Sequence, residues 1–148
     1  MPLPELDNLV RTGVLKAEPP DQREFDSLVQ SGQHRLTDAG NKALSFESRF
    51  DLAYNAAHAL SLAAMRWHGY RPDKQRFVVF QALVHTLSLA PEMARILDKS
   101  HSRRNLAEYE GYFDPDLRLL DELLAATNIV RKEVEKLGPV AKSQKPAR

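Results

Sequence analysis

Residues 45–70 read SFESRFDLAYNAAHALSLAAMRWHGY. Phe46, Phe50, Ala53, Tyr54, Ala57, Leu60, Ala64 and Trp67 recur there at steps of three and four, the period of one helix face. Ala53, Ala56, Ala57, Ala59, Ala63 and Ala64 fill much of the remaining surface. A helix clothed in alanine lets its neighbours approach closely, so this one is expected at the centre of a helical bundle. Ser45 suits its N-cap, with Ser48 as the alternative, because a hydroxyl oxygen accepts from the unpaired amides of the first turn. Gly69 ends the helix, and Tyr70-Arg71-Pro72 is expected to form the turn after it.

Upstream, Leu6, Leu9 and Val10 have helical spacing before Gly13, and Glu18-Pro19-Pro20 stops any helix ahead of it. Residues 21–39 form the next predicted helix. Phe25, Leu28, Val29 and Leu36 give it one narrow apolar stripe, and Gly32 sits inside it at about 1 kcal/mol relative to Ala. So thin a stripe predicts a helix outside the main bundle, packed by one edge. Residues 1–45 thus read as an arm and a peripheral helix.

Downstream, Phe77-Val78-Val79-Phe80 alone would suit a buried strand. The apolar pattern continues to Leu87, and no second strand is evident to pair with, so a single helix over 73–87 is expected. Pro91 opens another helix at its first turn, carrying Met93, Ile96, Leu97 and Leu106 to about Tyr109 and stopping near Gly111. Asp114-Pro115-Asp116 signals the start of the last, with Asp114 as the capping acid. Its stripe is Leu120, Leu123, Thr127, Val130, Val134 and Leu137, widened by Leu117, Leu124 and Ile129. The predicted architecture is all-α: an up-and-down bundle of four to five helices over 46–137, an N-terminal helical arm, and a disordered basic tail at 138–148.

The chain has 148 residues, 43% of them hydrophobic, which suits one domain with its own core. It contains no cysteine, so disulfides, thiol nucleophiles and Cys-ligated zinc are excluded. The acidic, proline-bearing start does not resemble a signal peptide, and no apolar run reaches the roughly 20 residues that span a bilayer. The expectation is a cytoplasmic protein with no membrane contact. Net charge is +1. Three of the 21 basic side chains (Lys142, Lys145 and Arg148) lie in the tail, which holds none of the 20 acids, so the rest of the chain is net −2. Any contact with nucleic acid therefore needs a local basic patch, since the whole-molecule field does not supply one.

The densest group of reactive side chains is His101–Tyr112, HSRRNLAEYEGY. On one helix His101, Arg104, Asn105 and Glu108 share a face, with Tyr109 beside Asn105 and Tyr112 three residues further on. The spacing allows an ion pair from Arg104 to Glu108 and a hydrogen bond from Asn105 to His101 or Tyr109. Arg103 aligns instead with Lys99 as a basic flank. The plain structural alternative is a polar helix end whose cations meet the negative end of the dipole. Against it stands the mixture of Asn, His and Tyr where a solvated face usually carries Glu and Lys.

The segment Arg104-Asn105-Leu106-Ala107-Glu108-Tyr109, the order of long helices, and FDLAYNAAHALSLAAMRWHGYRP before them resemble the HEPN domains. These are helical modules of toxin–antitoxin and defence systems. The resemblance spans residues 46–137. It implies a homodimer whose paired motifs line one cleft, contact with RNA or a cognate protein partner, and, in the ribonuclease members, RNA cleavage without metal or other cofactor. Those members carry an Arg, often followed by Asn, and a His four to six residues further on. Arg104 and Asn105 match the first two positions, while the His position falls on Tyr109, and no His follows His101. By this reading Arg104, Asn105, Tyr109 and His101 are the candidate catalytic residues, and Arg103, Glu108, Lys99 and Tyr112 the candidate binding residues. An unperturbed Tyr has a pKa of about 10 and is a poor base at neutral pH, so binding through the Arg104/Asn105 face is expected ahead of catalysis. A metal-independent endoribonuclease and a non-catalytic interaction scaffold are the alternatives.

His85, late in an apolar helix, reads as a packed side chain or as a group facing the same cleft. His58, with Tyr54 and Asn55, reads as a tie between helices. His34 and His68 are expected at the surface, and Trp67 in the core. No metal-ligand spacing, GxGxxG, Walker loop or GxSxG occurs.

Overall fold

The computed structural model describes residues 3–111 and 116–141, apart from the side chains of Glu108 and Tyr109. Four long helices dominate them: α2 (Gln22–Ala39), α3 (Phe46–Trp67), α6 (Pro91–Glu110) and α7 (Leu117–Glu135). A short α1 (Pro4–Arg11) precedes them, and α4 (Val78–Gln81) and α5 (Leu83–Thr86) lie between α3 and α6. The all-α bundle expected from the sequence is what is observed, with one small addition: β1 (Leu15–Ala17) and β2 (Tyr70–Pro72) form a two-stranded sheet.

The alanine-rich helix is central. Ala53, Ala56, Ala57, Leu60, Ala63 and Ala64 of α3 are fully buried, and α2, α6, α7 and α4 all pack on it. Its small side chains offer shallow grooves, and larger ones from the neighbours fill them: Phe80, Leu83, Leu97, Leu120 and Leu123 are buried around it. Ser45 caps it, accepting from the Ser48 backbone N–H at 3.1 Å. At the other end Gly69 adopts φ +91°, the left-handed conformation that lets the chain reverse directly into β2.

Helix α2 is not peripheral. It packs along α3 and also touches α7. The reason is Gly32, which brings α2 down onto the Leu60 side chain. A Cβ placed on Gly32 would lie 2.5 Å from Leu60 Cγ. What reads in the sequence as a costly residue is the contact that admits α2 to the bundle. Replacing Gly32 by Ala gains about 1 kcal/mol of helix propensity and loses about 1–3 kcal/mol to overpacking. A net loss of up to about 2 kcal/mol is expected in urea titrations, and the cost of Gly32→Ala should shrink when it is measured in a Leu60→Ala background. A Gly32→Ala variant more stable than wild type would refute the close approach.

The segment Tyr70-Arg71-Pro72 is a strand rather than a turn. It pairs antiparallel with the arm, Leu15 opposite Pro72 and Ala17 opposite Tyr70. The partner strand lies in the arm, far back in the sequence. The pairing continues through Glu18 N–H to Gly69 O (2.9 Å) and Asp73 N–H to Val14 O (3.0 Å). That second bond ties Asp73 to the sheet, so the helix predicted over 73–87 cannot begin there. Val78, Val79, Phe80, Ala82 and Leu83 are buried in succession instead of along one stripe, and two one-turn helices meeting at Ala82 accommodate them.

Helix α6 starts with Pro91 at its first turn and ends at Gly111, φ +80°, as expected. For α7 the cap within the described residues is Asp116, whose Oδ1 accepts from Leu119 N–H at 3.0 Å; Asp114 lies outside them. The predicted stripe of α7 is buried at Leu120, Leu123, Thr127, Val130 and Val134, whereas Leu117 and Ile129 are exposed. Part of the tail expected to be disordered is held in place. Trp67 Nε1 donates to Gly138 O (3.1 Å), and Val140 N–H donates to Gln22 Oε1 (2.8 Å). Residues 142–148 lie outside the described residues.

The arm is secured by a polar network that starts at Arg66 on α3. Arg66 is 2% exposed. Its Nε donates to Glu24 Oε1 (2.6 Å), and its terminal nitrogens donate to the carbonyls of Glu18 (3.0 Å), Pro19 (2.8 Å) and Tyr70 (3.3 Å). Arg71 joins Glu18 and Glu24 from β2. On α1, Asp7 accepts from Tyr70 Oη at 2.6 Å.

Candidate functional site

Asp51, Tyr54, Asn55 and His58 form a polar row on α3 at helical spacing, set in an otherwise alanine-rich surface. The row faces the second half of α6, where His101, Arg104 and Asn105 occupy one side of that helix. Phe77, just before α4, and Phe80 of α4 close the group.

His101 is the hub. Its Nδ1 lies 2.7 Å from Tyr54 Oη, and its Nε2 lies 3.0 Å from Asn105 Nδ2. With Asn105 donating to Nε2, the neutral ring carries its proton on Nδ1 and donates it to Tyr54. The imidazole stacks on Tyr54 (6.0 Å between centroids, 26°) and lies tilted against Phe77 (5.1 Å, 30°). Arg104 holds its guanidinium carbon 5.0 Å from the centroid of the Tyr54 ring, and its Nε donates to Asp51 Oδ1 at 3.1 Å. The other Asp51 oxygen accepts from Asn55 Nδ2 at 3.3 Å.

Behind this surface the environment turns apolar. His58 is 8% exposed and meets Phe80 edge-on at 6.0 Å. Burial, foremost, then the positive charge of Arg76, push its pKa down to about 4; a hydrogen bond to the Arg76 backbone opposes them, and the charges of His101 and Arg104 add to the depression. His58 Nε2 is buried without a hydrogen-bond partner among the described residues. Asp98, one turn before His101, is half-buried. Burial raises its carboxyl pKa, against the opposing effects of a Gln81 hydrogen bond and the charge on His101.

The predicted residues divide accordingly. His101, Arg104 and Asn105 share one face of α6. The expected bond between Asn105 and His101 is present. Arg104 reaches Asp51 on α3, while the side chain of its other predicted partner, Glu108, is outside the described set. The Tyr109 side chain and all of Tyr112 are likewise outside it. Lys99 is exposed and Arg103 half-buried on the neighbouring flank. His85 stands 3.9 Å from Glu5 of α1, away from this group. His68 is half-buried rather than fully at the surface. Its Nε2 is 2.7 Å from Thr86 O, its Nδ1 is buried without a partner among the described residues, and burial lowers its pKa. Trp67 is partly buried rather than enclosed.

Asp51 and Phe77 join the site although helical spacing does not assign them to it, and Tyr54 reads from the sequence only as part of the core stripe and of a helix tie. The available signal was the Asp51-Asn55 step of four beside Tyr54 and His58, a polar row interrupting a small-residue helix. Among the described residues no group of three His, Asp or Glu side chains is placed to hold a metal ion, and no helix is long and apolar enough to cross a membrane. A groove of about 700 Å³ lies elsewhere, between α2 and the end of α7, with Phe25, Val29 and Val134 in its lining. No family model matches the chain, and no curated protein or solved structure matches it.

Proposed function

We propose that the face shared by α3 and α6 binds single-stranded RNA through Arg104, Asn105 and His101, in a HEPN-like protein that works as a homodimer in a toxin–antitoxin or defence setting. The observation that carries this reading is the aromatic group in which His101 stacks on the buried Tyr54 ring and lies tilted against Phe77, with the Arg104 guanidinium over Tyr54 and the partly exposed His101 and Phe77 rings left to meet a base. Single-stranded nucleic acid is held by flat rings that stack on bases and by cations that take the phosphates. Arg suits the second task because its planar fork matches two phosphate oxygens. Lys99 and Arg103 lie on the adjoining flank of α6.

Binding is favoured over cleavage because both nitrogens of His101 already have partners, Tyr54 and Asn105. A second reading, the metal-independent ribonuclease, draws on the same 2.7 Å contact, since Tyr54 and His101 together offer a proton relay. Fluorescence anisotropy with a labelled single-stranded RNA is expected to show binding that weakens with salt. Arg104→Ala is expected to weaken it about tenfold, the loss of one charged hydrogen-bonded contact. It should also flatten the dependence of log K on log salt by about 0.7. The RNA should stay intact in EDTA. Cleavage there, abolished by Arg104→Ala in a folded protein, would establish the nuclease reading; equal binding by wild type and Arg104→Ala would sink the RNA face, and loss of RNA binding with retained capture of an acidic protein would point to a protein partner.

A further inference from the structure

The geometry points to an anion seat made by Arg104 of α6 and Asn55 of α3, occupied in the free protein by the Asp51 carboxylate and taken over by a phosphate group of the ligand. This rests on the RNA-binding reading and deepens it by naming a ligand-contacting residue, Asn55, and an internal competitor, Asp51.

The Asp51 carboxylate spans two helices. One oxygen accepts from Arg104 Nε (3.1 Å) and the other from Asn55 Nδ2 (3.3 Å). A guanidinium N–H and an amide N–H, held by different elements and converging on one carboxylate, form a donor pair that an RNA phosphate can use in the same way, because both anions present paired oxygens. The occupant is weakly held. The Asp51 side chain is 56% exposed, and its contact with Arg104 is a single bond through Nε. Exposed ion pairs of this kind are readily exchanged for a stronger one. The Arg104 side chain, 29% exposed, rests on the Tyr54 ring. The cation therefore stays in position when the carboxylate swings into solvent. Asp51 lowers the affinity for phosphate by having to be displaced.

Removing Asp51 should tighten binding, but so should the loss of any negative charge near a polyanion site. Two controls separate the effects. Glu47 is an exposed acid one turn earlier on the same helix, so Glu47→Ala removes the same charge without removing the carboxylate that Arg104 and Asn55 hold. A double-mutant cycle then compares Asp51→Ala in the wild-type and Arg104→Ala backgrounds. With a labelled 12-nucleotide single-stranded RNA as probe and folding checked by circular dichroism, Asp51→Ala is expected to bind up to about fivefold tighter. Glu47→Ala should change affinity less, and the gain should vanish when Arg104 is Ala. Asn55→Ala should weaken binding in the Asp51→Ala background. Equal gains from Asp51→Ala and Glu47→Ala, or a gain that persists without Arg104, would overturn the seat while leaving RNA binding intact. No binding by wild type or by Asp51→Ala at low salt would overturn both.

Discussion

Replacing Arg66 by Ala is expected to destabilise the protein by about 3 kcal/mol, the low end of what removing one partner from a buried charged network costs. Arg66 is the largest fully buried polar side chain among the described residues, and every direction of its guanidinium is used. It donates to the carbonyls of Glu18, Pro19 and Tyr70 and to the carboxylate of Glu24. Truncation leaves three carbonyls short of a donor and two acids facing only Arg71. Because Glu18 and Glu24 are themselves partly exposed, water recovers some of the loss, which sets the lower figure. Burial alone would raise the Glu24 pKa. Hydrogen bonds and charge from Arg66 and Arg71 outweigh it and hold that carboxyl below its usual range. Urea denaturation followed by the single Trp, Trp67, reads the effect from the adjacent residue. Arg66→Lys should recover little, since an ammonium cannot reach partners arranged for a planar fork. A loss below about 1 kcal/mol in Arg66→Ala would show that the network orders the arm without stabilising the fold.

Acidification should weaken the fold well before the carboxylates titrate. The His58 pKa is about 4 in the folded protein against 6.5 for an unperturbed His. Between those values the unfolded chain binds a proton that the folded chain refuses, so stability rises with pH through the window. The contribution is complete above pH 6.5 and is lost as pH falls towards 4, to a total of about 3 kcal/mol. His68, lowered chiefly by burial against an opposing bond to Thr86, adds in the same direction. Unfolding free energies at several pH values from 7 to 4.5 should show this slope, and His58→Gln, which does not titrate, should flatten it. A variant with the wild-type slope would assign the acid sensitivity elsewhere.

The two residues behind these expectations differ in how visible they are in the sequence. His58 stands out as the imidazole of a polar row on an alanine-rich helix. Arg66 does not. It lies beside Trp67 at the end of a helix, where a cation normally meets solvent and the helix dipole. Its burial depends on the arm folding back, and the arm's pairing partner β2 reads as a turn because a three-residue strand has no periodicity of its own.

On the candidate site the same division holds. The alignment of His101, Arg104 and Asn105 follows from helical spacing, and so was legible. That Tyr54 and Asp51 complete it was not, because helix periodicity says which residues share a face and nothing about which faces meet. Gly32 shows the point most sharply. Its local propensity argues against the helix it occupies, and only the position of Leu60 on another helix reveals its use.

By itself, then, the sequence determined the helical class, the central place of the alanine-rich helix, its serine cap, the proline and glycine boundaries of α6, and the shared face of His101, Arg104 and Asn105. All of these are set by interactions within a few residues along the chain. Tertiary structure alone decided that α2 belongs to the bundle, that 15–17 pairs with 70–72, that Arg66 is enclosed, and that Asp51 holds Arg104. Each of these rests on a contact between residues dozens of positions apart, whose strength comes from desolvation and close packing after the chain has folded back on itself.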